Sequence, residues 1–251
     1  IYGFEMDDKK IGKLMSMIAD EHKYHPVQEF LYGLTWDGTH RLKDLLPVYF
    51  QSPDYIGPER DKITNEWIVD ETHIVNKDGT YSDYSDFGIE GPASIVQIYG
   101  IRYMISAVAR AMDPGCEVDS LLCIIGPQGI GKSSAISKLA VHSEWFSDTP
   151  FDVTKKDAYI QLMGKWIVEL PECESLNRSG HNSIKSFLSS CVDRFRVPYR
   201  RHAIDVKRTT TMIATTNQTR LGFLNDISGH RRFWVCQVDN PFPHELYVQN
   251  E

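Results

Sequence analysis

The sequence predicts an α/β fold in which a mostly parallel sheet carries helices on both faces, preceded by a smaller, largely helical segment. Short apolar runs at 121–125 and 166–170 are typical of strands that are buried on both sides of a sheet. Helical patterns alternate with such runs over residues 93–251, as expected of parallel strands joined by crossover helices. Residues 1–92 lack this alternation, so we expect two domains, 1–92 and 93–251.

The N-terminal domain begins with an amphipathic pattern over residues 11–19, where apolar residues recur with the spacing of one buried helix face. A second helix is expected over 26–34, because the proline in its first turn costs no hydrogen bond there. A turn at 36–38 separates this helix from a third helical run around 42–46. Between two strand-like runs, residues 76–79 predict a hairpin.

The second domain is predicted as a regular alternation of helices and strands. A helix begins after residue 92 and ends at Met112, because the sequence Asp-Pro-Gly follows it. The elements after it are, in order, a strand at 121–125, a helix from 132, a strand at 166–170, a helix around 184–191, a basic hairpin at 194–208, and strands at 209–216 and 233–238.

The net charge of −7 does not exclude a nucleic-acid partner, because the acidity is concentrated at the N-terminal side. Residues 1–92 hold 9 Lys and Arg against 18 Asp and Glu, whereas residues 93–251 hold 18 against 16. The charge of the whole chain therefore says little about what the second domain binds.

Cysteine usage and hydropathy indicate a soluble, cytoplasmic protein with no membrane partner. The five cysteines form no Cys-x-x-Cys pair, which favours reduced, buried thiols over zinc or a disulfide framework. No secretory signal is present, and the most apolar stretch, 93–112, carries two arginines. Because the sequence begins at Ile1 rather than Met, we expect the natural chain to be longer.

The sequence GPQGIGKS at 126–133 fits the pattern Gly-x4-Gly-Lys-[Ser/Thr] between a predicted strand and a predicted helix. Its glycines let backbone N–H groups approach a phosphate, and the helix N-terminus adds positive potential. Lys132 is expected to neutralise the β- and γ-phosphates, and the Ser133 hydroxyl to bind Mg²⁺. The alternative is a glycine-rich turn that matches the motif by chance. The predicted strand before it and the predicted helix after it argue against that alternative.

The motif therefore predicts a phosphate-loop NTPase that uses ATP and Mg²⁺. The lysine is expected on a loop outside the core. The predicted nucleotide-binding residues are Gly126, Pro127, Gln128, Gly129, Ile130, Gly131, Lys132, Ser133 and Ser134.

Two acids close the predicted strand at 166–170, in the sequence Glu169-Leu-Pro-Glu172. The carboxyl end of a strand in an open α/β sheet faces the ligand crevice. ATP hydrolysis needs one carboxylate near the metal and another that activates water. We assign Glu169 to the metal together with Ser133, and Glu172 to the water, although a solvated strand end would show the same residues.

Polar groups also mark the two last strands. Asn217 ends the strand at 209–216 and can hold the attacking water, or can be an ordinary turn residue. Arg231 and Arg232 precede the strand at 233–238. Adjacent side chains alternate between the faces of a strand, so we expect one arginine to reach a neighbouring subunit's nucleotide and the other to be structural. Two solvated arginines are the alternative.

The stretch 194–208 reads RFRVPYRRHAIDVKR and holds six Lys and Arg against a single Asp. A charged hairpin of this kind can follow a nucleic-acid backbone without regard to its sequence. We predict that Arg200, Arg201, His202 and Lys207 bind single-stranded DNA. A solvated charged face is the alternative.

Taken in order, six segments of the chain resemble the virulence-associated protein E (VapE) family of phages and mobile elements. The ATPase core of that family is similar to the superfamily 3 helicases of the AAA+ class. The segments are HPVQEFLYGLTWDGTHRLKDLL at 25–46, ISAVARAMDPGCEVDSLLCIIGPQGIGKSS at 105–134, KWIVELPE at 165–172, IKSFLSSCVDRFRVPYRR at 184–201, ATTN at 214–217 and GHRRFWV at 229–235.

The resemblance implies an AAA+-like core in which Glu169 and Glu172 form the second acidic motif. It further implies that Asn217 is the sensor and that one of the two arginines acts in trans. Residues 200–202 would be the hairpin tip that grips DNA. Many superfamily 3 members have adjacent acids instead of Glu-Leu-Pro-Glu, so the division of labour between the two acids stays open. Relatives often carry a primase-like domain upstream.

The function we expect is ATP hydrolysis coupled to translocation on single-stranded DNA. The protein would work as a homo-oligomer, a hexameric ring, in the replication of a phage or mobile element, with a primase or another replication protein as a possible partner. Two other classes remain open. One is a nucleotide-gated DNA-binding or interaction module without catalysis. The other is a phosphate-loop kinase acting on a small molecule, which would leave the basic hairpin without a role.

Overall fold

The computed structural model describes most of the chain from Tyr24 onward. The described residues are 11, 24–52, 59–60, 67–68, 84–89, 93–155, 157–171, 178–196, 203–217 and 232–242. Their contacts divide the chain into two compact units, residues 1–35 and residues 36–251.

The first unit contains helix α1 (Pro26–Gly33), which confirms the helix predicted over 26–34. His25 caps this helix, because its Nδ1 accepts a hydrogen bond from the backbone N–H of Gln28 at 3.3 Å. Of the helix predicted over 11–19, Ile11 is helical and the other residues lie outside the described ranges.

The second unit alternates helices and strands. Its strands are β1 (Glu59–Arg60), β2 (Trp67–Ile68), β3 (Leu121–Ile125), β4 (Phe146–Ser147), β5 (Ile167–Leu170), β6 (Val192–Phe195), β7 (Ile204–Lys207), β8 (Thr211–Thr216) and β9 (Phe233–Gln237). Its helices are α2 (Ile95–Met112), α3 (Lys132–Leu139), α4 (Ala158–Gln161) and α5 (Arg178–Leu188). Shorter helical turns lie at Leu42–Asp44, Leu45–Tyr49, Ser85–Phe87 and Ser143–Trp145.

Five of the strands form one sheet in the spatial order β4-β5-β8-β3-β9, and every neighbouring pair in it is parallel. The predicted α/β fold with a mostly parallel sheet is therefore confirmed. The carboxyl ends of β3, β5 and β8 meet at one edge, because Ile125 pairs with Thr216 and Leu170 pairs with Ala214. That edge is where the candidate site lies.

Helices cover both faces of this sheet, as predicted. On one face, alternate residues of β3 such as Leu121 and Cys123 pack in a common core with Phe187 of α5. On the other face, the ring of Trp234 in β9, which lies between the core residues Phe233 and Val235, stacks on Tyr99 of α2 with ring centroids 5.7 Å apart. Alternation of side chains along each strand sends its apolar residues into both layers.

Helix α2 begins with a capping box. The Ser94 hydroxyl accepts from the N–H of Gln97 at 3.3 Å, and the Gln97 side chain accepts from the N–H of Ser94 at 3.1 Å. These two hydrogen bonds satisfy backbone donors that the first helical turn would otherwise leave without partners.

The turns at Leu42–Tyr49 pack directly on α2. A Cβ placed on Gly100 would lie 3.3 Å from the Leu46 side chain, so the close approach depends on the missing side chain of this glycine. The boundary between the two compact units lies after Thr35. The sequence predicts a domain boundary near residue 92 instead. The separate N-terminal domain over residues 1–92 stays a prediction.

Strands β1 and β2 pair antiparallel within the acidic stretch, with Glu59 opposite Ile68. The hairpin predicted at 76–79 lies outside the described residues. None of the four described cysteines forms a disulfide; Cys123 and Cys236 are buried, whereas Cys116 and Cys191 are half-buried. Among the described helices, none combines the length and the apolar character needed to cross a membrane.

Candidate functional site

The loop at 126–131 joins the end of β3 to the start of α3 and is held closely against the segment that follows β9. A Cβ on Gly126 would lie 2.0 Å from the carbonyl oxygen of Val238, so no other residue fits there without displacing the backbone. Gly131 caps α3 with φ +91°, a left-handed conformation that favours glycine. Gly126 therefore allows the backbone to approach Val238 closely, and Gly131 allows the sharp turn into α3.

Lys132 is the first residue of α3, and its side chain is buried rather than exposed on a loop, which corrects the sequence-based expectation. Its ammonium donates to the carbonyls of Gly126 and Pro127 at 2.7 and 2.8 Å. It also donates to Oδ1 of Asn217 at 3.0 Å. The lysine thus lies inside the curve of the loop, where it can meet an anion that the loop encloses.

Glu169 of β5 is 1% exposed and accepts two hydrogen bonds on one oxygen. The Ser133 hydroxyl donates to Oε1 at 2.8 Å, and the Thr215 hydroxyl donates to the same atom at 2.6 Å. Oε2 is buried and has no hydrogen-bond partner among the described residues. Burial raises the pKa of Glu169, although the hydrogen bonds from Thr215 and Ser133 oppose the shift.

These groups surround one cavity of about 410 Å³ at the carboxyl edge of the sheet. The three strands β3, β5 and β8 bring residues to it that are far apart in the sequence. Its lining consists of Gln128, Gly129, Gly131, Lys132, Ser133, Ser134, Glu169, Pro171, Thr215, Thr216 and Asn217. Six of the nine predicted nucleotide-binding residues therefore line one cavity with Glu169 and Asn217, whereas Gly126, Pro127 and Ile130 are not part of its lining. Their roles stay predictions.

Of the two predicted arginines, the structure describes Arg232. Arg232 is half-buried, and its Nε donates to Oδ2 of Asp119 at 3.0 Å, just before the start of β3. This contact lies at the amino edge of the sheet, opposite the cavity, with β3 between them. Arg231 lies outside the described residues, and so does Glu172, the predicted water-activating acid.

The predicted basic hairpin is present as the antiparallel pair β6–β7, with Arg194 opposite Asp205. Its tip, which includes Arg200, Arg201 and His202, lies outside the described residues. Lys207 is exposed at the base of the hairpin, opposite Val192. DNA contacts at these positions stay a prediction.

Not every cation counted in this basic stretch is free to meet a ligand. Arg208 is 2% exposed and donates through Nε to both carboxylate oxygens of Asp193 at 3.0 Å. Its guanidinium also lies over the ring of Phe187 at 4.6 Å. Arg194 is exposed, but its Nε lies 3.6 Å from Oδ1 of Asp205. The composition of 194–208 therefore overstates the positive charge that the hairpin presents.

The sequence analysis assigned no site role to three residues that line the cavity, Pro171, Thr215 and Thr216, and of these Thr215 donates a hydrogen bond to Glu169. Thr215 lies two residues before Asn217, on a strand whose alternate residues share a face. A polar residue two positions before a candidate sensor was the signal that could have found it, but buried strands often contain threonine.

The comparison with protein-family models agrees with the resemblance seen in the sequence. The family model described as virulence-associated protein E-like domain matches residues 66–250. Two solved structures of the apo NrS-1 C-terminal region are similar at 18% and 19% identity, with TM-scores of 0.42 and 0.41. They cover 60% and 59% of this chain, which spans only 38% and 37% of theirs. No curated protein matches.

Proposed function

The chain belongs to the virulence-associated protein E-like family, and from this premise we propose that it hydrolyses ATP and couples hydrolysis to single-stranded DNA. One observation carries the proposal. Ser133, Glu169 and Asn217 converge with Lys132 on one cavity, although 85 positions separate the lysine from the amide. This set holds a cation, a hydroxyl, a carboxylate and an amide, which is what nucleotide hydrolysis requires.

The triphosphate would lie along loop 126–131, where backbone N–H groups and the N-terminus of α3 favour negative charge. Lys132 would exchange its hydrogen bonds to the carbonyls of Gly126 and Pro127 for bonds to phosphate oxygens. Since the ammonium is already buried in the loop, little reorganisation is needed to bring it to the phosphates.

The residues at the cavity fit Mg²⁺. Glu169 Oε2 is a buried acceptor without a partner in the described part of the chain, and burying an unpaired carboxylate oxygen is costly. Ser133 and Glu169 would hold the ion together with phosphate oxygens, since Mg²⁺ prefers one or two protein ligands and keeps several waters. Among the described residues, no group of three or more His, Cys, Asp or Glu could hold a metal ion. Binding of Mg²⁺ through Ser133, Glu169 and phosphate oxygens does not need such a group. When bound, Mg²⁺ offsets charge on the transferred phosphoryl group.

Asn217 would orient the attacking water, because its amide already lies 3.0 Å from the ammonium that meets the γ-phosphate. Glu172 would accept the proton of that water. One of the arginines 231 and 232 would come from a neighbouring subunit of a hexameric ring. We assign the DNA to the β6–β7 hairpin and the process to replication of a phage or mobile element, with a primase as a candidate partner.

The test is the rate of Mg²⁺-dependent ATP hydrolysis, measured with and without a single-stranded oligonucleotide. The proposal predicts turnover that the oligonucleotide increases. A kinase acting on a small molecule would hydrolyse slowly and ignore DNA. A binding module would hold ATP without turnover under both conditions, and that result would refute the proposal.

A further inference from the structure

The cavity contains a buried hydroxyl that the proposed chemistry does not yet use. Thr215 is 5% exposed, and its Oγ1 donates to Glu169 Oε1 at 2.6 Å. It reaches this oxygen from β8, the strand next to β5. Because Glu169 pairs with Ile213 in a parallel register, Thr215 follows two residues later on the same face.

The two carboxylate oxygens of Glu169 differ in their hydrogen bonds. Oε1 accepts a hydrogen bond from the Thr215 hydroxyl and another, at 2.8 Å, from the Ser133 hydroxyl. Oε2 receives no hydrogen bond from the described residues and is fully buried. A buried acceptor without a partner costs free energy, so an arrangement that doubles the bonds on one oxygen and omits the other calls for a reason.

We propose that Thr215 is a positioning residue, which holds Glu169 by Oε1 so that Oε2 is kept for the hydrated Mg²⁺ that accompanies the nucleotide. This inference rests on the proposed function and adds a residue to it. Threonine suits the task because its branched side chain is restricted at χ1, so the hydroxyl keeps one direction. Outer partners of metal-binding carboxylates fix the ligand's orientation in this way.

Another threonine of the same strand shows what an ordinary structural hydroxyl does here. Thr211 is also buried, and its Oγ1 contacts the backbone carbonyl of Trp166 at 3.3 Å, at the amino end of β8. It lies on the same face as Thr215 but away from the cavity. Thr211→Val is therefore a matched control, with the same chemical change in the same strand.

The experiment measures how Mg²⁺ strengthens binding of a non-hydrolysable fluorescent ATP analogue. The Mg²⁺ concentration that produces half of the effect is compared between wild type, Thr215→Val, Thr215→Ser and Thr211→Val. We expect this concentration to rise about 10-fold in Thr215→Val, the scale seen when outer metal partners are removed. Thr215→Ser should restore it to within about twofold, and Thr211→Val should leave it unchanged.

Thermal unfolding of each variant separates positioning from stability. A purely structural threonine would lower the melting temperature in both valine variants without moving the Mg²⁺ midpoint, and that result overturns the inference. If Thr215→Val does not fold, Thr215→Ala removes the same hydroxyl without adding a methyl group to the site. Failure of the wild type to bind the analogue would instead contradict the proposed function.

Discussion

Oδ1 of Asn217 accepts a hydrogen bond from the ammonium of Lys132 at 3.0 Å, so the residue that follows β8 contacts the first residue of α3. Lys132 begins the helix that follows β3, and Asn217 follows β8, which lies next to β3 in the sheet. Any anion that the lysine binds must therefore lie within reach of the amide. This contact makes Asn217 a partner in the cavity rather than only a turn residue after a strand.

The first prediction concerns this amide. In Asn217→Ala we expect ATP binding to be retained and turnover to fall about 100-fold, the scale for loss of one positioned hydrogen-bonding group. Asn217→Asp should behave differently, because a carboxylate 3 Å from Lys132 would compete with phosphate for the ammonium. It should therefore weaken ATP binding itself. Equal ATP affinity and turnover in all three proteins would contradict a role for the amide.

The second prediction separates the two acids. Glu169→Gln should raise the Mg²⁺ requirement, because the amide is a weaker partner for the metal and for the Ser133 and Thr215 hydroxyls. Glu172→Gln should retain Mg²⁺-dependent ATP binding and lose hydrolysis, because an amide cannot accept the proton of the attacking water. Mg²⁺ titrations of binding and of turnover measure both effects. If Glu169→Gln alone stops turnover while Glu172→Gln stays active, the assignment of the two acids is reversed.

The layered fold and the strand and helix on either side of loop 126–131 were predictable from the sequence because they depend on local signals. Buried parallel strands such as 121–125 are continuous apolar runs, and the loop motif combines three special residue types at fixed spacing. Strand β4 was not predictable, since two residues at a sheet edge carry no pattern. The packing of Leu45 and Leu46 on α2 was also not predictable, because contacts between distant segments produce no periodic pattern in the sequence.

Charge was the least reliable sequence signal. Composition counts Arg208 among the cations of the basic hairpin, but the fold buries it against Asp193. Lys132 was likewise expected outside the core, because the motif assigned it to an exposed loop, and an isolated ammonium is costly to bury. The loop carbonyls and Asn217 supply the hydrogen bonds that make its burial tolerable. Which charges a fold pairs depends on contacts between strands, and these are not visible in a linear sequence.

The third prediction concerns the hairpin tip. The double variant Arg200→Ala, Arg201→Ala should weaken binding of a single-stranded oligonucleotide. It should also reduce the slope of log affinity against log salt by up to about 1.4, since each phosphate contact contributes about 0.7. Basal ATPase activity should be retained. Lys155→Ala, which removes one exposed cation outside the hairpin, is the control. An unchanged salt slope in the double variant would make the tip a solvated surface.

The fourth prediction divides the two arginines. Because Arg232 bonds to Asp119, we expect Arg232→Ala to lower stability, and Asp119→Asn to reproduce that loss. Arg231→Ala should leave the fold intact and reduce turnover ~10³-fold, as expected of an arginine supplied to a neighbour's nucleotide.

Mixing two inactive variants tests whether that arginine acts in trans. Arg231→Ala and Lys132→Ala subunits in one ring would create some interfaces with an intact loop and an intact arginine. Partial recovery of ATPase activity is the expected result. Absence of recovery in rings shown to contain both subunits would argue for a structural arginine pair.

The fifth prediction concerns the phosphate loop, since we propose that the cavity beside it binds and hydrolyses ATP. The measurement is binding and turnover of Mg·ATP by wild type, Lys132→Ala and Lys138→Ala at matched protein concentration. Lys138 is exposed on the same helix outside the cavity, so its variant controls for loss of a positive charge. Melting temperatures must accompany the rates, because Lys132→Ala also removes the donor to Gly126 and Pro127. We predict that Lys138→Ala resembles wild type, whereas folded Lys132→Ala loses ATP binding or turnover. Full ATPase activity in folded Lys132→Ala would contradict the account.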